Sequence, residues 1–457
     1  MDFLLFVLNK TTSDLNPNNL RYMFYFVTPN ETIYNNDEEV PHYLSLTMTW
    51  MFVLMILEFL LDDRNYAFND TVTSVNTGVL FSLLKVRGRF LSRAFYGSVY
   101  ERIHIIDFPK DSAYTWILGF LLQELSYYSG HRAMHEVGLG WWFHQVHHSS
   151  EYFNFSTAMR IGFLEDVGLL AFDLMQATII PPNIFFVHRC LSLMFRFWQH
   201  TNVIPNLGPL DYFLCTPSNH RVHHARNPYC IDRNYGAVLI IWDRLFGTYE
   251  PERKDEKIAY GLVKPIASFD PLGFQFFEVK ALYDRGQTRD QMGKEIFTGF
   301  WNKVKAAFLP PGYFPGVKTK RFLMWLYKAD NTERIPKIEN PVVPYNPPLC
   351  APLRYYLLFQ WLILLGNFLK FAVDRQTMSW PLFLTYLSYL ILFAQTFGYY
   401  FDQRRICIFV DCCRLIAVIV SGLFMWDTTS IFYGIGSLIV VSVLITTGNI
   451  KTAEKQT

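Results

Sequence analysis

Apolar runs long enough to cross a membrane as single helices recur along this chain of 457 residues. A hydrocarbon core about 30 Å thick requires roughly 20 consecutive, mainly apolar residues in helical form. The first run covers 43–61, and four more follow near the C-terminus, at 355–373, 380–400, 406–426 and 431–447. These runs predict an all-α integral membrane protein that ends in a bundle of transmembrane helices.

Composition supports a membrane protein and excludes a nucleic-acid-binding one. Charged residues make up 18% of the chain, against about 25% in soluble domains. Hydrophobic residues make up 51%, and the mean hydropathy is +0.13. The net charge of +2 leaves no basic surface for nucleic acid. The apolar stretch 3–8 lacks a basic segment and a small-residue cleavage site, so we predict no signal peptide.

Three shorter apolar runs lie in the N-terminal half of the chain. One covers 114–128 and ends directly before His131. The other two, 164–180 and 183–198, are separated by two consecutive prolines. Because proline interrupts a helix, the second and third runs predict a helical hairpin.

The composition changes after residue 250, where the chain becomes rich in Lys, Arg, Glu, Pro and Gly and has no span-length apolar run until 349. We therefore predict five parts. They are an N-terminal segment at 1–42, a membrane-embedded helical domain at 43–249, a cytosolic segment at 250–348, a four-helix membrane bundle at 349–447 and a tail at 448–457.

Eight of the 12 histidines fall into three tight clusters inside the predicted helical domain: His131 and His135; His144, His147 and His148; and His220, His223 and His224. Two histidines four positions apart lie on one face of a helix, about 5–6 Å from each other. Eight imidazoles are too many for one tetrahedral zinc ion. They predict two metal ions that share a histidine cage, and His200 is a candidate ninth ligand that the sequence leaves open.

The ligand type favours iron over zinc when the chemistry involves oxygen. Neutral imidazoles suit Zn, Cu, Fe and Ni alike, but only a redox-active metal can activate O₂. Two octahedral irons offer about twelve positions, which eight or nine imidazoles plus water and O₂ would fill. Uncharged ligands leave the metal charge uncompensated, so we expect a carboxylate to orient an imidazole. Glu136, next to His135, is the first candidate for this catalytic role, followed by Glu124 and then by Glu151, Glu165 and Asp211.

Positive charges predict which side of the membrane the histidines face. Arg404 and Arg405 lie between the second and third runs of the bundle, and Lys451 and Lys455 lie in the tail. Loops rich in Lys and Arg stay in the cytosol, and counting crossings backwards then puts the 250–348 segment there too. An even number of runs separates the histidine clusters from that segment, so we expect the active site at the cytosolic face.

The order of the clusters, HxxxH, HxxHH and HxxHH between pairs of apolar helices, resembles the fatty acid hydroxylase and sterol desaturase superfamily of non-haem diiron membrane enzymes. The flanking residues resemble the branch of this superfamily that cleaves glyceryl ethers. These residues are WWFHQVHHSSE at 141–151, TPSNHRVHHARNP at 216–228, YCIDRNYG at 229–236 and WDRLFGT at 242–248. The resemblance covers about 110–250, and the C-terminal bundle agrees mainly in hydropathy.

This resemblance implies a multi-pass monooxygenase of the endoplasmic reticulum membrane that uses O₂, two iron ions and tetrahydrobiopterin. The implied substrates are 1-alkylglycerols and lyso-alkyl lipids. Hydroxylation of the alkyl carbon next to the ether oxygen would give a hemiacetal, which collapses to a fatty aldehyde and glycerol or a glycerol derivative. A fatty aldehyde dehydrogenase would act downstream.

Three alternatives stay open at this stage. The nearest is a sterol, sphingolipid or fatty acyl hydroxylase or desaturase of the same superfamily, supplied with electrons by cytochrome b5. A zinc-dependent membrane hydrolase is disfavoured because zinc hydrolases normally use three protein ligands per metal. A metal transporter is disfavoured because transporters tend to place their ligands mid-membrane on broken, repeated helices.

Overall fold

A computed structural model describes residues 14–311, 313, 315 and 336–450, without the side chains of 84–92. Within these residues the protein is helical, with three isolated β-bridges, which confirms the predicted fold class. The stretch 3–8 and the tail lysines Lys451 and Lys455 lie outside the described residues.

Among the residues that the structure describes, eleven α-helices precede the C-terminal bundle. They are α1 (Pro29–Thr32), α2 (Tyr43–Leu61), α3 (Phe68–Ile103), α4 (Ala113–Glu136), α5 (Gly138–His144), α6 (Glu165–Gln176), α7 (Pro182–Trp198), α8 (Pro217–His224), α9 (Ile241–Phe246), α10 (Pro271–Gly286) and α11 (Gly299–Phe308). The bundle contains α12 (Ala351–Asp374), α13 (Trp380–Phe401), α14 (Ile406–Met425) and α15 (Thr428–Thr446). Short 3-10 helices lie between them, including His147–Ser149 in the second histidine cluster.

Five helical segments of the described chain are long and apolar enough to cross a membrane: Asp37–Leu61, Ala351–Asp374, Trp380–Phe401, Ile406–Met425 and Thr428–Thr446. They match the first predicted run and all four runs of the bundle. The segment 250–348 contributes no such helix among its described residues.

The predicted hairpin forms, but its first helix is shorter than the apolar run that predicted it. Helix α6 has 12 residues and α7 has 17, which corresponds to about 18 and 26 Å. Pro181 is the N-cap residue of α7 and Pro182 is its first residue, a position where the missing backbone N–H is not needed. The chain leaves helical geometry before the prolines, so the run 164–180 is only partly helical.

The helical domain has two distinct ends. We call the end that carries the three histidine clusters the histidine end. At the opposite, distal end, Ile105 N donates to Thr178 O at 2.8 Å, and Asn183 Nδ2 donates to Tyr34 O at 2.5 Å. Helices α4 and α7 therefore both start at the distal end and run towards the histidines.

The C-terminal bundle packs directly on the helical domain, although the sequence suggests a separate unit. One continuous apolar core includes Val75 and Leu191 from the helical domain together with Leu357 and Phe397 from the bundle. Polar contacts reinforce it. Trp361 Nε1 donates to Asn76 Oδ1 at 3.2 Å, so α12 lies against α3.

Candidate metal centre

Four parts of the chain bring histidines to one place. His131 and His135 lie on the last turns of α4, and His144 ends α5. His147 and His148 follow in a 3-10 helix, and the third cluster lies on α8. Each residue of α8 is rotated about 100° from the one before it. Together with His200, which follows α7, all nine side chains are buried, each at most 8% exposed.

The nine imidazoles form two separate groups rather than a single cluster. The five-histidine group contains His131, His135, His144, His148 and His223, and the four-histidine group contains His147, His200, His220 and His224. In each group, one ring nitrogen per residue lies within 4.8 Å of those of all the others. The groups adjoin, because the rings of His148 and His224 stack at 4.4 Å between centroids.

Backbone carbonyls fix the orientation of several of these rings. The Nδ1 atom of His131 donates to Tyr235 O at 2.8 Å, and that of His223 donates to Arg233 O at 2.8 Å. In the second group, His147 Nδ1 bonds to Arg160 O at 3.1 Å, and His200 Nδ1 bonds to Arg196 O at 2.8 Å. A proton held on Nδ1 leaves Nε2 as the unprotonated nitrogen, ready to bind a metal.

The Nε2 atoms of the four-histidine group converge closely. His200 Nε2 lies 3.1 Å from His147 Nε2, 3.1 Å from His224 Nε2 and 3.0 Å from His220 Nε2. In the other group, His144 Nε2 lies 2.9 Å from His131 Nε2 and 3.2 Å from His148 Nε2.

Such convergence fits a cation-binding site. Burial, followed by the neighbouring imidazoles, lowers the pKa of His131, while burial alone lowers that of His135 to about 3. The rings are therefore neutral, and their inward lone pairs repel one another. Among the described residues, no hydrogen-bond partner reaches the buried Nε2 of His135 or of His223. A metal ion in each group would satisfy these nitrogens, so the residues fit two metal ions.

The structure brings together all eight histidines of the clusters and adds His200 to them. Without His200 the second group would contain only three imidazoles. The other three histidines lie outside both groups; His188, for example, bonds to Trp116 O and to the Tyr25 hydroxyl at the opposite end of α4.

Glu136 has a different partner from the one that the sequence suggests. Its Oε1 accepts from Arg132 Nε at 2.8 Å, instead of from a ligand imidazole. The physical reason is helical geometry: residues four apart share a face, whereas the residue after His135 is rotated about 100° around the helix. Asp232 takes the expected place, with Oδ1 at 3.4 Å from His135 Nδ1.

The other candidate carboxylates have varied surroundings. Glu165 Oε2 lies 3.7 Å from His144 Nδ1. Glu124 accepts the backbone N–H groups of Val238 and Leu239 at 2.8 Å each, so it joins α4 to the loop after α8. Asp211 accepts from Ser218 Oγ at 2.5 Å, and Glu151 from Tyr345 N at 3.0 Å. Among the contacts of the described residues, Glu165 is the one of these four carboxylates that lies beside a histidine.

The loop after α8 orients the centre, a role that ligand spacing does not reveal. It supplies the carbonyls of Arg233 and Tyr235 and the carboxylate of Asp232. Asp232 and Asn234 adopt left-handed backbone conformations, with φ of 57° and 56°. Asp243 secures the turn by accepting from Tyr235 N and from Gly236 N, at 2.8 and 2.7 Å. In the sequence, this loop could be recognised only through the family resemblance, because YCIDRNYG at 229–236 is among the residues that carry it.

An elongated cavity of about 850 Å³ borders the four-histidine group. Its polar side includes His147, His200 and His220 together with Tyr127, Glu165 and Arg196. Its remaining walls are mainly apolar and come from α2, α3, α7 and α12. The volume lies within the range of about 300–1,000 Å³ that is typical of small-molecule sites.

Comparison with known proteins identifies the family. A family model for fatty acid hydroxylases matches residues 116–248, which hold all three clusters and His200. An alkylglycerol monooxygenase of Caenorhabditis elegans is 40% identical over 420 residues, covering 90% of this chain and 82% of the worm protein. The chain belongs to the alkylglycerol monooxygenase family. The human alkylglycerol monooxygenase is 36% identical over 389 residues, covering 84% of this chain and 83% of the human protein.

The similarity to other lipid hydroxylases is narrower. An ornithine lipid hydroxylase of Rhizobium tropici is 29% identical over 157 residues, which cover 34% of this chain and 47% of the bacterial protein. No solved structure matches the chain. The family therefore extends over the C-terminal bundle, whereas the bacterial hydroxylase matches only about a third of the chain.

Replacement of His200 by Ala tests the division into two groups. Purified protein should contain about two metal ions per chain, one in each group. His200→Ala should lower the content to about one, because three imidazoles remain in its group. Elemental mass spectrometry measures the metal content. His104→Ala, which changes a histidine outside both groups, is the control, and an unchanged content in His200→Ala would contradict the two-group arrangement.

A pair of carboxylate variants tests which residue orients a ligand. Asp232→Asn should weaken metal binding about 10–100-fold, the usual cost of losing a group that orients a ligand imidazole. Glu136→Gln should have a smaller effect, because Glu136 contacts Arg132. Metal retention during titration with a chelator measures both. If Glu136→Gln loses metal more readily than Asp232→Asn, then Glu136 orients a ligand imidazole, as the sequence predicts, and Asp232 does not.

Proposed function

We propose that this protein is a membrane monooxygenase that cleaves the ether bond of 1-alkylglycerol lipids. The observation that carries the proposal is the position of the paired histidine centre beside an elongated, mainly apolar cavity. Membership in the alkylglycerol monooxygenase family supports the substrate class. Five candidate membrane spans support a site that receives its substrate from a bilayer.

We further propose that the two groups hold two iron ions. The five-histidine group would hold one and the four-histidine group the other. When bound, an iron pair would supply the activation of O₂ that hydroxylation of an alkyl carbon needs. The ether oxygen weakens the adjacent C–H bond, which selects the carbon beside it.

The chain's own residues bind and orient the substrate. The apolar walls of the cavity exclude water from the alkyl chain and stabilise it by burial, at about 0.8 kcal/mol per CH₂. Tyr127, Glu165 and Arg196 line the same cavity as the four-histidine group. Arg196 Nη1 donates to the Tyr127 hydroxyl at 2.6 Å. These side chains provide donors and acceptors for the glycerol hydroxyl groups, so the ether oxygen would be directed towards the histidines.

The reaction balances with an external two-electron donor, which we propose is tetrahydrobiopterin. One oxygen atom of O₂ enters the C–H bond, and the other leaves as water with the two electrons and two protons. The resulting hemiacetal then loses the hydroxyl proton, its former ether C–O bond breaks, and the glycerol oxygen is protonated. The products are a fatty aldehyde and glycerol, and an aldehyde dehydrogenase would consume the aldehyde.

Dependence on the reductant tests this function. Membranes that contain the protein should convert a long-chain 1-alkylglycerol into a fatty aldehyde when both O₂ and tetrahydrobiopterin are present. NADPH with cytochrome b5 should not replace the pterin. His223→Ala should abolish aldehyde release, while the control His104→Ala should retain it. Sterol or acyl hydroxylation with cytochrome b5, and no cleavage of alkylglycerol, would favour the sibling hydroxylases instead.

We also propose that the protein lies in the endoplasmic reticulum with its histidine end facing the cytosol. The loop between α13 and α14 supports this orientation, because Arg404 lies there and the positive-inside rule places it in the cytosol. The same loop contacts the segment after the histidine domain: Asp402 accepts from Phe269 N at 2.7 Å, and Arg404 Nη1 lies 3.0 Å from Asp270 Oδ2.

Protease access in sealed microsomes tests this orientation. A site-specific protease sequence inserted between Lys254 and Asp255, which are exposed, should be cut from outside. The same sequence inserted between Lys110 and Asp111 in the exposed loop at the distal end should be protected until detergent is added. The reverse pattern would put the active site in the lumen.

A further inference from the structure

We propose that the C-terminal bundle completes the lipid site, with α2 and α12 enclosing the alkyl chain and Leu365 and Phe368 setting its maximum length. This inference rests on the proposed function, since it assigns a binding site to the same substrate. It gives the bundle, which contains none of the clustered histidines, a direct part in substrate selection.

Helix α12 has two faces with different roles. Arg354, Trp361, Leu365 and Phe368 recur at helical spacing and line the cavity. The other face joins the bundle, where Gln360 Oε1 accepts from Arg414 Nη2 at 2.9 Å. A helix fixed on one side and exposed to the cavity on the other is a rigid wall.

A buried polar network fixes that second face. Tyr356 donates from its hydroxyl to Asp411 Oδ2 at 2.6 Å, and Arg414 Nη2 lies 2.6 Å from Asp411 Oδ1. Gln360 Nε2 donates to Ser437 Oγ at 3.0 Å. These bonds connect α12 to α14 and α15, and buried networks with satisfied members specify one packing arrangement.

The cavity extends well beyond the histidines. On α2, Glu58 Oε1 accepts from Thr201 Oγ1, next to His200, at 2.5 Å. Leu44 lies fourteen residues earlier on that helix, or about 21 Å along its axis, and still lines the cavity. The cavity therefore reaches far enough from the four-histidine group to hold a long chain.

Residues of α12 also show how far the cavity extends from the histidines. Ser150, two residues after the second cluster, donates to Asp70 Oδ2 at 2.8 Å, and Asn76, less than two turns later on α3, accepts from Trp361. Trp361 thus lies about 9 Å farther along α3 than the contact with Ser150, in the direction away from the histidines. Phe368 is seven residues further along α12, about 10 Å away. Leu365 and Phe368 consequently occupy the part of the cavity where the end of the chain would lie.

The occupant that this cavity suits is a single alkyl chain with a small polar head. Two of its walls, α2 and α12, are candidate membrane spans, so a lipid can enter from the bilayer. Its polar side, with Glu165 and Arg196, lies beside the histidines. A fused-ring sterol is rigid and broad, whereas a flexible chain can follow the length of two helices.

Leu365→Trp tests the proposal through chain-length preference. The larger ring should shorten the cavity and exclude methylene groups from burial, each of which contributes about fourfold in binding. We expect the ratio of kcat/KM for octadecylglycerol to that for dodecylglycerol to fall about tenfold. Phe368→Ala should raise the ratio. Leu423→Trp, at an exposed position of α14 outside the cavity, is the matched control and should leave it unchanged.

A second measurement does not depend on turnover. Octadecylglycerol with a diazirine at its terminal carbon should crosslink to peptides of α2 and α12, and an excess of unlabelled octadecylglycerol should prevent it. Crosslinking in these helices without aldehyde production would refute the proposed reaction but support the cavity. Aldehyde production with crosslinks elsewhere, or an unchanged ratio in Leu365→Trp, would overturn the chain-binding proposal.

Discussion

The hydrogen bonds from imidazole Nδ1 atoms to backbone carbonyls determine much of this structure. Four ligand candidates donate to the carbonyls of Tyr235, Arg233, Arg160 and Arg196. Each bond fixes a ring, its tautomer and the direction of its Nε2 lone pair. The carbonyls come from three separate parts of the chain, so the centre forms only when those parts are packed together. Glu124 and Asp243 hold the loop after α8 in the required position.

The histidine centre and the apolar cavity depend on each other. Neutral imidazoles bind a metal without neutralising it, and a dry environment strengthens every electrostatic interaction around it. In the function that we propose, the walls of the cavity keep water away and hold a lipid next to the four-histidine group. Since one wall is α12, the helical domain and the bundle both border this cavity. One apolar core runs through both parts, so each part stabilises the other.

Local patterns in the sequence predicted a large part of the molecule. Helix α2 has the same limits as the first apolar run, and the four helices of the bundle agree with their runs within a few residues. The eight clustered histidines do come together. Such features depend on short-range properties, namely apolar length, proline placement and spacing on one helix face, which the linear sequence contains.

The sequence by itself determined the helical membrane fold, the superfamily and the eight clustered histidines. Only the tertiary structure decided how the histidines divide, that His200 completes the second group and that Asp232, rather than Glu136, faces His135. It also decided that a helix more than 120 residues after the last cluster borders the cavity. These outcomes depend on contacts between residues distant in the chain. The spacing of residues in the sequence determines which side chains share a helix face. Only tertiary packing determines which residues that face contacts.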